Sequence, residues 1–232
     1  MKNKKIKFVS SDNYAEITIE KPTPASQVLP DWWTKMPSSV DSGCPVRTKN
    51  DETIKACMPI LDALGAGYVQ RLWTDIHISD EGATYIYSQK PAPMIIREYK
   101  HNNRFPVPDG FYPSECAWQQ PYIPQTSKGT SCLITHPMNR IDLPFFTMSG
   151  IIDTDSDLFV TWGQLPFFIR KGFTGIIPCG TPLYQIIPFQ RDNWETEQWV
   201  ADDRYRMKCE ANLNKHFVGG YKKLYRKPKY WL

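Results

Sequence analysis

Proline placement constrains this chain more than any other single feature. Twenty prolines are spread through the apolar runs of 232 residues, nearly twice the roughly 5% that is usual. Each one fixes φ and removes a backbone donor, so long helices are disfavoured and short elements joined by shaped loops are favoured. Within that punctuation, residues 150–189 read GIIDTDSDLFVTWGQLPFFIRKGFTGIIPCGTPLYQIIPF. A Gly-bounded acidic turn and several short apolar runs fall within forty residues, the pattern of a compact β-hairpin array. The expected fold is mainly β, a jelly-roll or distorted β-sandwich with one or two peripheral helices, built as a single domain over residues 1–232. Apolar content of 41%, with 13% aromatic, supplies a core for one such domain.

Along the chain, KIKFVS and YAEITIE alternate around Ser11, Asp12 and Asn13 and predict a hairpin. Prolines at 22, 24, 30 and 37 then bracket Trp32 and Trp33, an irregular arm strapped over the core by its tryptophans. The spacing of Ile54, Met58, Leu61 and Leu64 predicts a helix over 51–64, kinked or divided at Pro59 and ended by Gly65 and Gly67. YVQRLWTDIHIS predicts one alternating strand, with Tyr68, Gln70, Leu72, Thr74, Ile76 and Ile78 on a common face. TYIYS and PMIIREYK predict further strands. Residues 101–130 mix prolines with Phe105, Phe111, Tyr112, Trp118 and Tyr122 and read as an ordered loop over one end of the β-structure. SCLITHPM, FFTMSGII, LFVTW, PFFIRKG, TGIIP and LYQIIPF complete the strands. A second helix is predicted from Trp194 to Asn214, entered through Asp192 and Glu195 and ended by Gly219 and Gly220.

The net charge of +4 hides a polarity. Lys2, Lys4, Lys5 and Lys7 lie at one end, and Lys215, Lys222, Lys223, Arg226, Lys227 and Lys229 at the other. Removing these ten from the 28 basic residues leaves 18 against 24 acids, so the body carries −6 between basic N- and C-terminal arms. Such arms suit phosphate or an acidic partner, and YKKLYRKPKYWL interleaves aromatics with cations as single-strand binders do. The plainer reading pins the tail to its own acidic body. Six cysteines without a CxxC read as buried, reduced thiols of a cytosolic protein. No apolar stretch reaches the roughly 20 residues of a membrane span, so no membrane partner is expected.

The densest polar constellation is His136, Asn139, Arg140 and Asp142 on THPMNRIDLPF, followed by Asp153, Asp155 and Asp157 on GIIDTDSDLF. Alternating acids resemble the opening of a calcium loop, but the glycine and the closing Glu are missing. His136 with an acid has the chemistry of an iron or zinc ligand pair; without an HxD or HxE pattern, no metal is assigned. The structural alternative has Asp153 and Asp155 shaping a turn and Arg140 forming a bidentate pair with a carboxylate. GxSxG, GxxxxGK[ST] and GxGxxG motifs are absent.

Two resemblances join these residues. LPDWWTKMP, TIKACMPILDALGAGY, THPMNRIDLPF, GTPLYQIIPFQRDNW and GGYKK together resemble a family of tailed bacteriophages, including marine T4-like phages, and of some bacteria. This likeness runs over nearly the whole chain and implies a phage-related source. GIIDTD followed by GTPLYQIIPF is similar in order and spacing to the dUTPase and dCTP deaminase group, and LGAGYVQRLW resembles that group's early AGYDL segment. Val69 replaces the Asp of AGYDL, Ser156 stands where a Tyr is expected, and no Arg-Ser-Ser motif precedes it. The second resemblance therefore implies a scaffold rather than dUTP hydrolysis.

The functional expectation is a phage-type accessory protein that binds or transforms a small molecule in a pocket at one sheet end. Residues 101–130 form its lid, Arg140 grips an anion, and Asp153 or Asp155 takes a hydroxyl or a metal. The ligand-binding set is His136, Asn139, Arg140, Asp142, Asp153 and Asp155, with the cofactor left open. The alternative is a virion or protein-interaction module whose aromatic arms and basic termini grip neighbouring subunits. Nucleic acid on residues 221–232 is a third reading. The expected setting is the host cytoplasm or the virion.

Overall fold

Two antiparallel sheets share one aromatic core. A computed structural model describes residues 4–10, 13–41, 43, 51–79, 85–87, 91–96, 106–112, 116–156, 163–214, 220–227 and 229–231. The expected strand at 158–162, Asp157, Lys2, Lys215, Gly219 and positions 101–105 of the aromatic loop lie outside these residues.

The larger sheet orders its strands Gly150–Asp153, Thr130–Thr135, Pro182–Gln190, Tyr68–Arg71 and Thr23–Pro24. The second orders Phe145–Thr147, Gly163–Ile169, Cys116–Gln120 and Met94–Ile96. Their apolar faces meet through Trp118, Phe145 and Phe167 from one sheet and Cys132, Ile134, Tyr184 and Ile186 from the other, all essentially sealed from solvent. Trp118 stacks on Phe167 with ring centroids 3.5 Å apart and meets Phe145 edge to face at 5.0 Å. One buried polar relay crosses the layers: Trp118 Nε1 donates to Thr147 Oγ1 at 3.0 Å, and that hydroxyl donates to the Leu183 carbonyl at 2.8 Å. Satisfying both groups removes the cost of burying them and sets how the sheets sit on each other. A third sheet, Gly175–Ile177, Ile76–Ile78 and Tyr85–Tyr87, closes the architecture with two short ribbons. The fold is mainly β and sandwich-like, as its hydrophobic alternation predicts.

Among the described residues the helices number five, four of them no longer than 7 residues. YAEITIE is not a strand of a hairpin: Asn13–Thr18 is helical, and Lys7–Val9 pairs instead with Ile123–Gln125. Ala15 and Ile19 are four apart as well as alternating, and their buried contact with Tyr122 selects the helix. The Tyr122 hydroxyl donates to the Ile19 carbonyl at 2.8 Å. At 51–64 the expected helix is divided at Cys57 rather than at Pro59: a 3₁₀ turn Ile54–Ala56 precedes the helix Met58–Leu64, which holds Pro59 in its first turn.

Tyr68, Gln70, Leu72, Thr74, Ile76 and Ile78, expected on one face of a single strand, are all buried, yet Tyr68 and Gln70 lie in one strand, Ile76 and Ile78 in a strand of another sheet, and Leu72 and Thr74 in the link between them. Leu72 N–H leaves the ladder for the Thr181 carbonyl at 2.8 Å, and Asp75 accepts from Cys179 N–H at 2.7 Å, which turns the chain. The aromatic loop is corrected more strongly. Residues Cys116–Gln120 are an interior strand with Cys116, Ala117 and Trp118 fully buried, so this stretch is core rather than lid. The last long helix begins at Asp203, not Trp194, because the Asp202 carboxylate caps Tyr205 N–H at 2.7 Å. Of the cysteines, Cys116 and Cys132 are core thiols, but Cys179 is exposed.

Candidate functional site

His136, Asn139, Arg140 and Asp142 form one tight turn beyond the Thr130–Thr135 strand. Arg140 N–H closes it on the Pro137 carbonyl at 3.1 Å, and Asn139 takes φ +60°, a left-handed conformation that Asn tolerates well. The Arg140 guanidinium does not wait for an anion. It grips Asp142 through Nε–Oδ1 at 2.9 Å and Nη2–Oδ2 at 2.8 Å. Burial of the Asp142 carboxyl opposes ionisation, but Arg140 outweighs it and holds the pKa below the usual value. The His136 ring packs on Phe145 and Phe146; its Nδ1 accepts from Thr147 N–H at 3.3 Å and its Nε2–H donates to the Arg140 carbonyl at 3.1 Å. Both ring nitrogens are spent on backbone, and burial lowers the His136 pKa. This turn is a structural clasp.

Asp153, which ends the neighbouring strand Gly150–Asp153, and Asp155 in the turn after it lie beside the opposite end of the Thr130–Thr135 strand. Ser131 pairs with Asp153, whereas Ile134 pairs with Gly150. The five residue steps from Ser131 to His136 span about 16 Å along the strand direction. The six candidate ligand residues therefore make two clusters, not one pocket. Arg191 is the cation that neutralises the second cluster: Nη1 reaches Asp153 Oδ1 at 3.1 Å and Asp155 Oδ1 at 3.0 Å, and Nη2 meets Asp155 Oδ2. Gly129 N–H adds a bond to Asp155 at 2.8 Å. Arg191 first, then Gly129, draw the Asp155 pKa down to about 2. Thr126 and Thr154 hydroxyls meet at 2.7 Å beside them. Arg191 was legible in principle, because it is the single cation between Lys171 and Arg204.

That sheet end opens into a groove assembled from both chain termini. One half, of about 370 Å³, is lined by Lys4, Lys5, Tyr68, Phe189, Tyr230 and Trp231. The adjoining half, of about 360 Å³, adds Lys7, Thr154, Asp155 and Ser156, and both halves share Lys5, Thr126 and Ser127. Pairing of Lys7–Val9 with Ile123–Gln125 places the N-terminal lysines along one wall. The C-terminal wall is fastened from below: Arg226 Nη2 binds Asp62 Oδ1 at 2.7 Å and Lys229 Nζ binds Asp62 Oδ2 at 2.8 Å. Arg226 and, against the cost of burial, Lys229 lower the Asp62 pKa. Trp231 then meets Tyr68 edge to face at 6.3 Å, and Phe8 meets Tyr68 from the other side at 5.2 Å. The groove thus combines exposed ammonium groups, hydroxyls and ring surfaces. Groups of these kinds have the chemistry to hold an anion joined to a flat apolar group.

No protein-family model matches the chain, and comparison with curated proteins and with solved structures finds no match. Among the described residues, no group of three His, Cys, Asp or Glu side chains is placed to hold a metal ion, and no helix is long and apolar enough to cross a membrane.

Proposed function

We propose that the protein binds a small ligand carrying an anionic group and a flat ring, nucleotides being the chemical type, in the groove between its two termini. The observation that supports this most is the convergence of Lys4, Lys5 and Lys7 with Tyr68, Tyr230 and Trp231 at one sheet end. Lysine ammonium groups take phosphate oxygens as mobile point charges. The ring surfaces take the base, and Thr126 and Ser127 hydroxyls lie at the junction of the two halves. Asp155 stands in the far half already neutralised by Arg191, so it does not repel the anion. Of the six residues expected to bind a ligand, Asp155 lines this groove. An accessory role suits the phage-family resemblance of the whole chain.

Calorimetric titration with a panel of nucleoside monophosphates and triphosphates, with inorganic tripolyphosphate as control, tests the reading. Nucleotides are expected to bind more tightly than tripolyphosphate. Lys5→Glu and Trp231→Ala are each expected to weaken binding at least tenfold while the circular dichroism spectrum is unchanged. Absence of binding by every panel member, or wild-type affinity in both variants, overturns it.

A further inference from the structure

Beyond the groove, the strongest unexplained feature is the surface of residues 192–225. Nine of the twenty exposed large hydrophobic side chains among the described residues fall here, including Trp194 at 87%, Val200 at 91%, Met207 at 69% and Trp199 at 65% exposure. A monomer in water gains nothing from this arrangement. The segment is nevertheless shaped. Trp199 packs edge to face on Tyr205 at 5.3 Å, Asp202 caps the helix Asp203–Asn214, and that helix contacts the helix Gly220–Leu224.

At about 150–250 Å² for each fully exposed aromatic, the exposed parts of these nine side chains sum to on the order of 1,000 Å² over the segment, enough to supply the roughly 800 Å² that each partner gives to a stable pair. Its charges are divided. Residues 192–203 carry Asp192, Glu195, Glu197, Asp202 and Asp203 with no Lys or Arg, while residues 221–229 carry Lys222, Lys223, Arg226, Lys227 and Lys229 with no acid. Arg226 and Lys229 are committed to Asp62, and Asp203 to Arg206.

We infer that this surface is a docking face for a second copy of the same chain, the acidic tryptophan strap of one copy lying on the basic helix Gly220–Leu224 of the other. A two-fold interface uses one patch on both partners, so the patch must be complementary to itself. Apolar area flanked by one acidic and one basic segment meets that requirement. A partner of a single charge sign would satisfy only half of it. In the pairing, Glu195 and Glu197 oppose Lys222 and Lys223, and Trp194 and Trp199 fill the space between the helices.

Light scattering on the full chain after size exclusion, from 5 to 200 μM, tests this. A mass of twice 26.9 kDa is expected, with the monomer emerging on dilution. Trp194→Ser together with Trp199→Ser is expected to raise the dimer dissociation constant at least thirtyfold without altering the thermal melt of the monomer, because neither side chain is buried. Glu195→Lys with Glu197→Lys is expected to abolish self-association, and mixing that variant with Lys222→Glu, Lys223→Glu chain is expected to restore a mixed dimer. A monomer at 200 μM, a dimer indifferent to the tryptophan changes, or failure of the swapped pair to associate overturns the inference.

Discussion

Gly67 shows how much a single position decides. Its φ of +64° is left-handed, and a Cβ there would fall 2.1 Å from the Ile186 carbonyl oxygen, so the strand Tyr68–Arg71 reaches its neighbour only because the side chain is absent. Arg140 is a different case: of the two tasks expected for it, gripping an anion or pairing with a carboxylate, the structure contains the carboxylate pair. Its side chain spends its bonds on Asp142, with a further contact to the Val28 carbonyl. Arg140→Ala is therefore expected to cost about 1–3 kcal/mol of stability and to leave ligand affinity unchanged, which chemical denaturation and titration of one sample decide. His136 carries a pH signature. Burial lowers its folded pKa below 6.5, so below that pH the unfolded chain binds the proton more readily. Stability is complete above pH 6.5 and falls as pH drops through it towards the lowered folded value. The melting temperature is expected to fall between pH 7.5 and 5.5 more steeply in wild type than in His136→Gln; equal slopes would remove the neutral, half-buried His136 from the account.

At the scale of elements, alternation was a sound guide wherever one face had a core to meet. The array over 150–189 delivered the strands Gly150–Asp153, Gly163–Ile169, Gly175–Ile177 and Pro182–Gln190. Gln185 illustrates the added layer: its Oε1 accepts from Met138 N–H at 2.8 Å and its amide donates to the Ala63 carbonyl at 3.0 Å, tying a turn and a helix end to a buried strand. Short runs were ambiguous because a period of two and a period of 3.6 coincide over five residues, as at Ala15 and Ile19. The strand Cys116–Gln120 was missed for a separate reason. It is buried on both faces and so does not alternate, and flanking prolines made it look like loop. Its weight is testable: Trp118→Ala is expected to lose about 3–5 kcal/mol in denaturant titration, since it removes the ring stacked on Phe167 and packed edge to face on Phe145 and leaves the Thr147 hydroxyl without its indole donor. A loss below 1 kcal/mol would contradict a shared core.

At the scale of the whole molecule, the two basic ends prove to be neighbours. The N-terminal lysines run beside Ile123–Gln125, the tail is anchored by Asp62, and Trp231 reaches Tyr68, so ends 220 residues apart build one groove. The same tail that is pinned at Arg226 and Lys229 leaves Lys222 and Lys223 on the exposed helix, beside the tryptophan strap. Composition, proline spacing and short-range periodicity by themselves determined the β-rich class, most strand positions and the end of the helix Met58–Leu64 at Gly65. These follow from torsional limits and from which side chains avoid water, both local properties. Only the tertiary structure decided that Lys7–Val9 pairs with residues 123–125, that Arg191 rather than Arg140 answers Asp153 and Asp155, and that the candidate residues part to opposite ends of one strand. Sheet order and ion pairing join residues far apart in sequence, and their energies depend on the burial and geometry of the assembled sheets, which no local pattern encodes.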